Sequence, residues 1–371
     1  MMTAPSLSHA DPLGLPSTGT HSVSEAALLK AFLHTYNAEV HEVVAEIIPF
    51  EALRKPRLVT LEPILYTHSR RRNLMRAGFS MASGRTVGNI QDGVIAAAVG
   101  ELAWTCALVL DDILDGSAER DGHAAAHIMF GRRHTVASAT VTLAAIARYL
   151  VTTRRTSLSV RIRMEGLATR LLARCSAAAL TGRRNVHDHT RYMKYARGIN
   201  ACTHWAVVAP MLGSHDPQAI AAGWAYADAA SRNGKLRNDL FDYCGGSTES
   251  DTPYKDFHQR LVTFPVLVLL QRDLDPRDRA EIHAHFYTHG PSELDVQYFI
   301  SLLLASGALS QYIVMMEQEA IAVERAAESI DLAYGGDQPL SLLMRSWCQC
   351  VISASVHAVE RVATPIQDTQ A

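Results

Sequence analysis

Aromatic residues are scarce in this 371-residue chain, at 7%, and no charge of one sign dominates, the formal balance being −2 with histidine neutral. Without a net basic field nothing gathers nucleic acid or an anionic membrane surface, so neither is an expected partner. The six cysteines (Cys106, Cys175, Cys202, Cys244, Cys348, Cys350) lack paired spacing. That argues against a disulfide scaffold and for a reduced, cytoplasmic setting. No basic-then-apolar signal pattern opens the chain. Residues 1–22, rich in Pro, Ser, Thr and Gly, read as a disordered tail, and 363–371 as a frayed end. The longest apolar run, Ile95 to Leu110, contains Glu101 and falls short of a membrane span, which predicts no integral membrane association. Strand-like alternation is nearly missing. No Ser–His–Asp arrangement or phosphate-cradling glycine loop stands out.

What is present is hydrophobic and helical. Apolar residues make up 48% of the chain, with Ala, Leu and Val prominent, and such residues lose little side-chain freedom in a helix. The pattern predicts helices over 23–47, 88–114, 135–152, 157–181, 188–212, 217–242, 257–272, 278–287, 293–306, 309–334 and 339–361. Breaks such as "CGGSTESDTP" and "YGGDQP" separate them. No linker divides the chain, so a single all-α domain is expected over 23–362.

Chemistry concentrates at two helix ends. "DDILD" places Asp111, Asp112 and Asp115 at the end of an apolar helix. Residues i and i+4 share a helical face and i+1 flanks it, so the three carboxylates converge. Acids at a helix C-terminus oppose the macrodipole and repel one another; a hard, oxygen-seeking cation such as Mg²⁺ resolves both conflicts. "NDLFD" repeats the spacing with Asn238, Asp239 and Asp242, again at a helix end, before Gly-Gly. Two such ends facing each other would hold Mg²⁺ around a diphosphate, stabilise its departure and let a carbon–oxygen bond ionise.

With these motifs the sequence resembles the trans-isoprenyl diphosphate synthases and the class I terpene synthases that share their fold. Order and separation of the two motifs match. Arg120, Gly122, His127 and Gly131 match the family's "RRG-x-P-x-x-H" stretch, and Asp256, Thr263 and Pro265 its "D-x-x-x-G-K-x-T-x-P" stretch. The resemblance implies a helical bundle with a central apolar cavity, three Mg²⁺ ions, a prenyl diphosphate substrate and a homodimer. It assigns the metals to Asp111, Asp112, Asp115, Asn238, Asp239 and Asp242.

Several diphosphate-binding positions of the family are substituted. Its isopentenyl-site lysine falls near Ser69, with its arginine at Arg72. The histidine two turns ahead of the first motif is Trp104, and the second arginine of "RRG" is Asp121, which would repel a diphosphate. In the allylic site Ile199 and Asn200 replace a lysine and a threonine, Lys235 a glutamine, and Leu261 a lysine. Arg120 remains; Arg191, Lys194, Arg197, Lys235, Arg237 and Arg260 are candidate replacement cations. Arg191 sits near the place of the terpene cyclases' pyrophosphate-sensing arginine. Asn238 is cyclase-like, yet Asp242 keeps the synthase spacing. Trp104 either fills core volume or offers a π face to a carbocation.

These departures put a class I terpene cyclase first. It would ionise one prenyl diphosphate of C15–C20 or longer, with Arg120, Arg72, Arg191, Arg197, Lys235 and Trp104 around the substrate. The alternatives are a trans-prenyltransferase using isopentenyl diphosphate or another acceptor, and a non-catalytic partner subunit of a synthase.

Overall fold

The computed structural model describes residues 37–48, 61–70, 75–181, 188–214, 216–244, 254–288 and 291–367. Arg72, the 1–22 tail and the 23–36 part of the first expected helix lie outside them. The described residues are almost wholly helical. A first group comprises α1 (37–47), α2 (Glu62–Arg70), α3 (Met75–Thr86) and α4 (Ile90–Asp115). A two-stranded hairpin follows, β1 (Glu119–Arg120) and β2 (His123–Ala124). Next come α5 (Ala126–Phe130), α6 (Arg132–Thr152), α7 (Leu158–Thr181), α8 (His189–Ile199), α9 (Ala201–Met211) and α10 (Pro217–Cys244). The chain ends through α11 (Lys255–His258), α12 (Phe264–Leu270), α13 (Pro276–Tyr287), α14 (Val296–Ala305), α15 (Ala308–Tyr334) and α16 (Pro339–Gln367).

α4 and α10 are the axes of the bundle, and α9 packs on both. Asn89 starts α4, its side chain accepting the Asp92 N–H. Gly116 stops it in the left-handed conformation, φ 66°, with its N–H on the Asp112 carbonyl, a reversal that glycine makes without Cβ strain. The intervening residues are apolar all round and mostly buried, as a central helix requires. Although Ile95 to Leu110 is short, the complete 26-residue helix is long and apolar enough to cross a membrane, as is α6. In α4 those side chains pack inside the bundle, 72% of the apolar window being buried.

α2 and α3 were not expected from the sequence. α3, "MRAGFSMASGRT", is buried between α4, α9 and α16, so its small residues carry no amphipathic period. Gly84 and Gly93 let α3 and α4 touch: a Cβ on Gly93 would lie 2.8 Å from the Ser80 carbonyl oxygen. The helix expected over 188–212 breaks at Asn200, which is cross-linked to α10. Its Nδ2 donates to the Ser231 carbonyl at 2.9 Å, and Ser231 Oγ returns a bond to the Asn200 carbonyl at 3.2 Å. At the chain's end α16 continues to Gln367, beyond the expected fraying point.

Candidate active site

The first carboxylate motif caps α4. Asp112 is buried, and Arg120 from β1 grips it: Nε donates to both carboxylate oxygens at 2.9 Å and Nη2 to Oδ1 at 2.6 Å. The same guanidinium lies 3.6 Å from Asp111, whose side chain is 57% exposed. Arg120 is aimed by the hairpin. Asp121 and Gly122 form its two-residue turn with φ 53° and 74°. Positive φ at both central residues is the turn that matches strand twist, and Asp-Gly is among the sequences that best tolerate it. The acid at 121 thus has a backbone reason to be there. Tyr66 of α2 fixes the hairpin, donating to the Ala124 carbonyl at 3.0 Å.

The second motif ends α10, with Asp239 fully buried, Asp242 half-buried and Asn238 exposed. Asp239 accepts from Lys235 Nζ, from the Tyr192 hydroxyl of α8 and, at 3.2 Å, from the Phe264 N–H of α12. Asp242 accepts the Asp256 N–H at 3.1 Å. Burial, then the neighbouring Asp256 and Asp239 charges, push its carboxyl up to about 7.

One segment joins the motifs. Residues 254–263 return from α10 and lie across both helix ends. Lys255 Nζ sits 3.0 Å from Asp115 Oδ2 and 2.8 Å from Ser117 Oγ, and Gln259 Nε2 donates to the Asp115 carbonyl at 3.2 Å, while the next residue, Asp256, binds Asp242. His285 of α13 anchors this segment. Its ring stacks on Phe257 at 4.3 Å, Nε2 donates to the Phe257 carbonyl at 3.0 Å, and Nδ1 accepts from Ser292 Oγ at 2.9 Å. Burial pushes the His285 pKa down, toward the neutral ring these bonds use.

Among the described residues no three acidic, His or Cys side chains converge closely enough, as they stand, to enclose a metal alone. Mg²⁺ commonly takes one or two carboxylates and completes its shell with water and substrate phosphate, so an ion here would need those further ligands. The oxygen-only donor set, with Asp242 and Asp256 side by side, fits such a hard cation. Asp111 and Asp115 would hold such ions at one helix end, and Asn238 and Asp242 at the other.

The profile of the family described as Polyprenyl synthetase matches residues 60–303. The chain belongs to that family. A search of curated proteins found no match. Among solved structures it is similar to a decaprenyl diphosphate synthase from Rhodobacter capsulatus, at 21% identity and TM-score 0.74, covering 89% of this chain and 98% of that one. It is also similar to a polyprenyl synthase from Caulobacter crescentus complexed with calcium and isoprenyl diphosphate (20%, TM-score 0.73, 90% and 99%). A third is a geranylgeranyl pyrophosphate synthase from Corynebacterium glutamicum complexed with isoprenyl diphosphate and magnesium (17%, TM-score 0.66, 89% and 99%). The all-α isoprenyl synthase fold is therefore that of this chain.

Within that family frame the substituted positions acquire structure. Arg260 stands at the glycine of the "D-x-x-x-G-K-x-T-x-P" stretch and keeps a left-handed φ of 55°, at a cost of about 1 kcal/mol for a residue with a Cβ. Trp104 is half-buried, with the Arg76 guanidinium of α3 stacked 3.7 Å from its ring centroid. Lys235 is buried on Asp239. Arg191 is exposed and pairs with Asp188 at 3.3 Å. Arg197 pairs with Asp228 at 3.3 Å, in a cluster with Arg174 and His204. Asp228 lies ten residues before Asn238, roughly 15 Å along α10. The structure thus brings Arg120 and Lys235 onto the carboxylates and engages Arg191 and Arg197 elsewhere.

Three residues not singled out from the sequence contact the motifs, Lys255, Gln259 and Tyr192, while Arg76, one of the four arginines that the stretch 68–76 offers near the isopentenyl-site position, stacks on Trp104. A lysine beside Asp256 in the matched stretch was a usable signal for Lys255. Nothing local distinguishes Tyr192 from an ordinary core aromatic.

Proposed function

We propose that the chain is a divalent-metal-dependent trans-prenyltransferase, an isoprenyl diphosphate synthase that joins a prenyl diphosphate to isopentenyl diphosphate. The observation that carries this is the 254–263 segment, in which the adjacent residues Lys255 and Asp256 bind Asp115 of the first motif and Asp242 of the second. The family match and the synthases among its structural neighbours support this alternative over the cyclase placed first by the sequence. Divalent ions, when bound, would neutralise the charge gathering on the departing diphosphate. Asp111, Asp115, Asn238 and Asp242 would hold them, and Arg120 is placed to turn from Asp112 toward the phosphate. Ala103, Ala107 and Leu110, one half-buried stripe leading up α4 to Asp111, would face the hydrocarbon.

The substituted acceptor site has a structural counterpart in Arg76. Trp104 and Asp111 are two turns apart on α4, roughly 10 Å, and the guanidinium held on Trp104 supplies a cation where the family histidine is missing. Metal-dependent catalysis in the cytoplasm, without nucleic-acid or membrane partners, completes the proposal. A homodimer is part of it, because Met129, Val136, Val151, Leu158, Ile162 and Leu172 leave apolar surface exposed along α5–α7; light scattering on the purified chain checks it. Incubation with Mg²⁺ and geranyl, farnesyl or geranylgeranyl diphosphate, with and without isopentenyl diphosphate, tests the function by product mass. Longer diphosphates formed only with isopentenyl diphosphate are expected. Hydrocarbon or alcohol from a single substrate would instead establish the cyclase, and no turnover would favour the partner subunit.

A further inference from the structure

Lys255 opens α11 and reaches across to the end of α4. Its Nζ lies 3.0 Å from Asp115 Oδ2 and 2.8 Å from Ser117 Oγ. Two residues with left-handed backbone bracket this stretch, Tyr254 at φ 56° and Arg260 at φ 55°. Side chains with a Cβ keep that conformation only where their surroundings enforce it. Between the two, Lys255 binds the Asp115 carboxylate and Gln259 its carbonyl, so the stretch is fastened to the last acid of the first motif. Two other cation–carboxylate pairs at the motifs are closed: Arg120 sits on Asp112, 2% exposed, and Lys235 on Asp239, 0% exposed. Lys255 and Asp115 are 20% and 31% exposed. A ligand from solvent can reach both, and each can change partner without unpacking the bundle.

An ammonium on Asp115 opposes metal there. A Mg²⁺ ion lies about 2.0–2.1 Å from its ligand oxygens, so on this carboxylate it would stand beside Nζ, and like charges that close repel strongly where water is partly excluded. A diphosphate reverses the balance, because its oxygens accept strong charge-assisted hydrogen bonds from an ammonium. We propose that Lys255 is a diphosphate-binding residue held in reserve on Asp115. Without ligand it neutralises the first motif and weakens metal binding at Asp115; when diphosphate arrives it passes from the carboxylate to the phosphate and frees Asp115 for the ion. It is not the lysine of the matched stretch, whose place Leu261 takes. The consequence is an order of binding, with metal entering the first motif together with diphosphate rather than ahead of it. This inference rests on the reading of both motifs as metal-holding.

Two binding measurements on the full chain test it without turnover. Mn²⁺ alone is followed by electron paramagnetic resonance and equilibrium dialysis, and inorganic pyrophosphate at saturating Mn²⁺ by titration calorimetry. Lys255→Met keeps the reach of the side chain and removes its charge. It should bind Mn²⁺ alone about tenfold more tightly, and pyrophosphate about tenfold more weakly, than the parent protein. Lys255→Arg should keep both affinities within about threefold. In an Asp115→Asn background Lys255→Met should bring no gain in Mn²⁺ affinity, closing a double-mutant cycle. Circular dichroism monitors folding, and should Lys255→Met fail to fold, Lys255→Gln is read in the same way. A contact that only fastened α11 to α4 would move both affinities in one direction; that result, or a change in fewer than both, overturns the proposal. If neither Asp111→Asn nor Asp242→Asn weakens Mn²⁺ binding in the presence of pyrophosphate, the metal reading of the motifs itself fails and Lys255 loses its role with it.

Discussion

Replacing Arg120 with alanine asks whether the first motif is held by the protein's own charge. Asp112 has a side-chain exposure of 2%, and three guanidinium contacts of 2.6–2.9 Å account for its compensation. Removing one partner of a buried pair strands the other and typically costs about 3–5 kcal/mol. Arg120 itself is 15% exposed, so water can reach part of the vacated space, and the low end, about 3 kcal/mol, is expected. Urea unfolding followed by circular dichroism, in EDTA, gives the number. Asp112→Asn in the Arg120→Ala background removes the stranded charge and should recover about 2 kcal/mol. Saturating Mg²⁺ with pyrophosphate should narrow the gap between Arg120→Ala and the parent protein, because a bound ion supplies the missing positive charge. A loss under about 1 kcal/mol, or an equal loss whether residue 112 is Asp or Asn, would refute the reasoning.

Four further outcomes follow from the geometry. His189, His204 and His285 have pKa values lowered chiefly by burial; their folded values lie below the unfolded value of about 6.5, so the folded state binds fewer protons. Their contribution to stability is complete above about pH 6.5 and is lost as pH falls toward the folded values, whereas Asp242, raised to about 7, stabilises the fold as pH falls; urea midpoints should therefore drop between about pH 7 and pH 5 in an Asp242→Asn background, and a flat profile there contradicts this. Asp121→Val forces a β-branched residue to φ 53° and should lower stability by about 1–2 kcal/mol, against little change for Asp121→Asn, which a thermal melt can read. Gly93→Ala drives a Cβ to 2.8 Å from the Ser80 carbonyl, and separating α3 from α4 should cost about 1–3 kcal/mol in denaturant titration. Arg76→Ala, which empties the face of Trp104, should raise the KM for isopentenyl diphosphate about tenfold, as loss of a charged contact does, while the allylic KM stays within about twofold; equal effects on both would assign Arg76 to packing.

The motifs were legible because their information is local. An i, i+1, i+4 set of carboxylates at the end of an apolar helix reads the same way before and after folding, and so does the Asp-Gly turn once its strands are seen. Most helix positions from 88 onward were also legible, since period and breakers lie within a few residues of one another, but α5 was not expected and the helix expected over 257–272 is divided into α11 and α12. α3 escaped because it is covered by α4, α9 and α16 together; a helix buried on several sides needs no polar face, and its small residues answer to neighbours such as Gly93 rather than to their own period. The break at Asn200 escaped for the same reason, being set by Ser231 on another helix.

What the sequence by itself determined, then, is the helical class, the two carboxylate motifs and the family they signal. Which cation meets which carboxylate was decided only in three dimensions. Six acidic or amide side chains and many nearby basic residues allow numerous pairings of similar chemistry, and sequence distance does not rank them. Folding ranks them by reach and burial: Arg120 turns back onto Asp112, Lys255 crosses from the far side of the second motif to Asp115, Lys235 closes on Asp239, and Arg197 is drawn away to Asp228. Coulomb attraction is strong only where water is excluded, and exclusion of water is a property of the packed bundle.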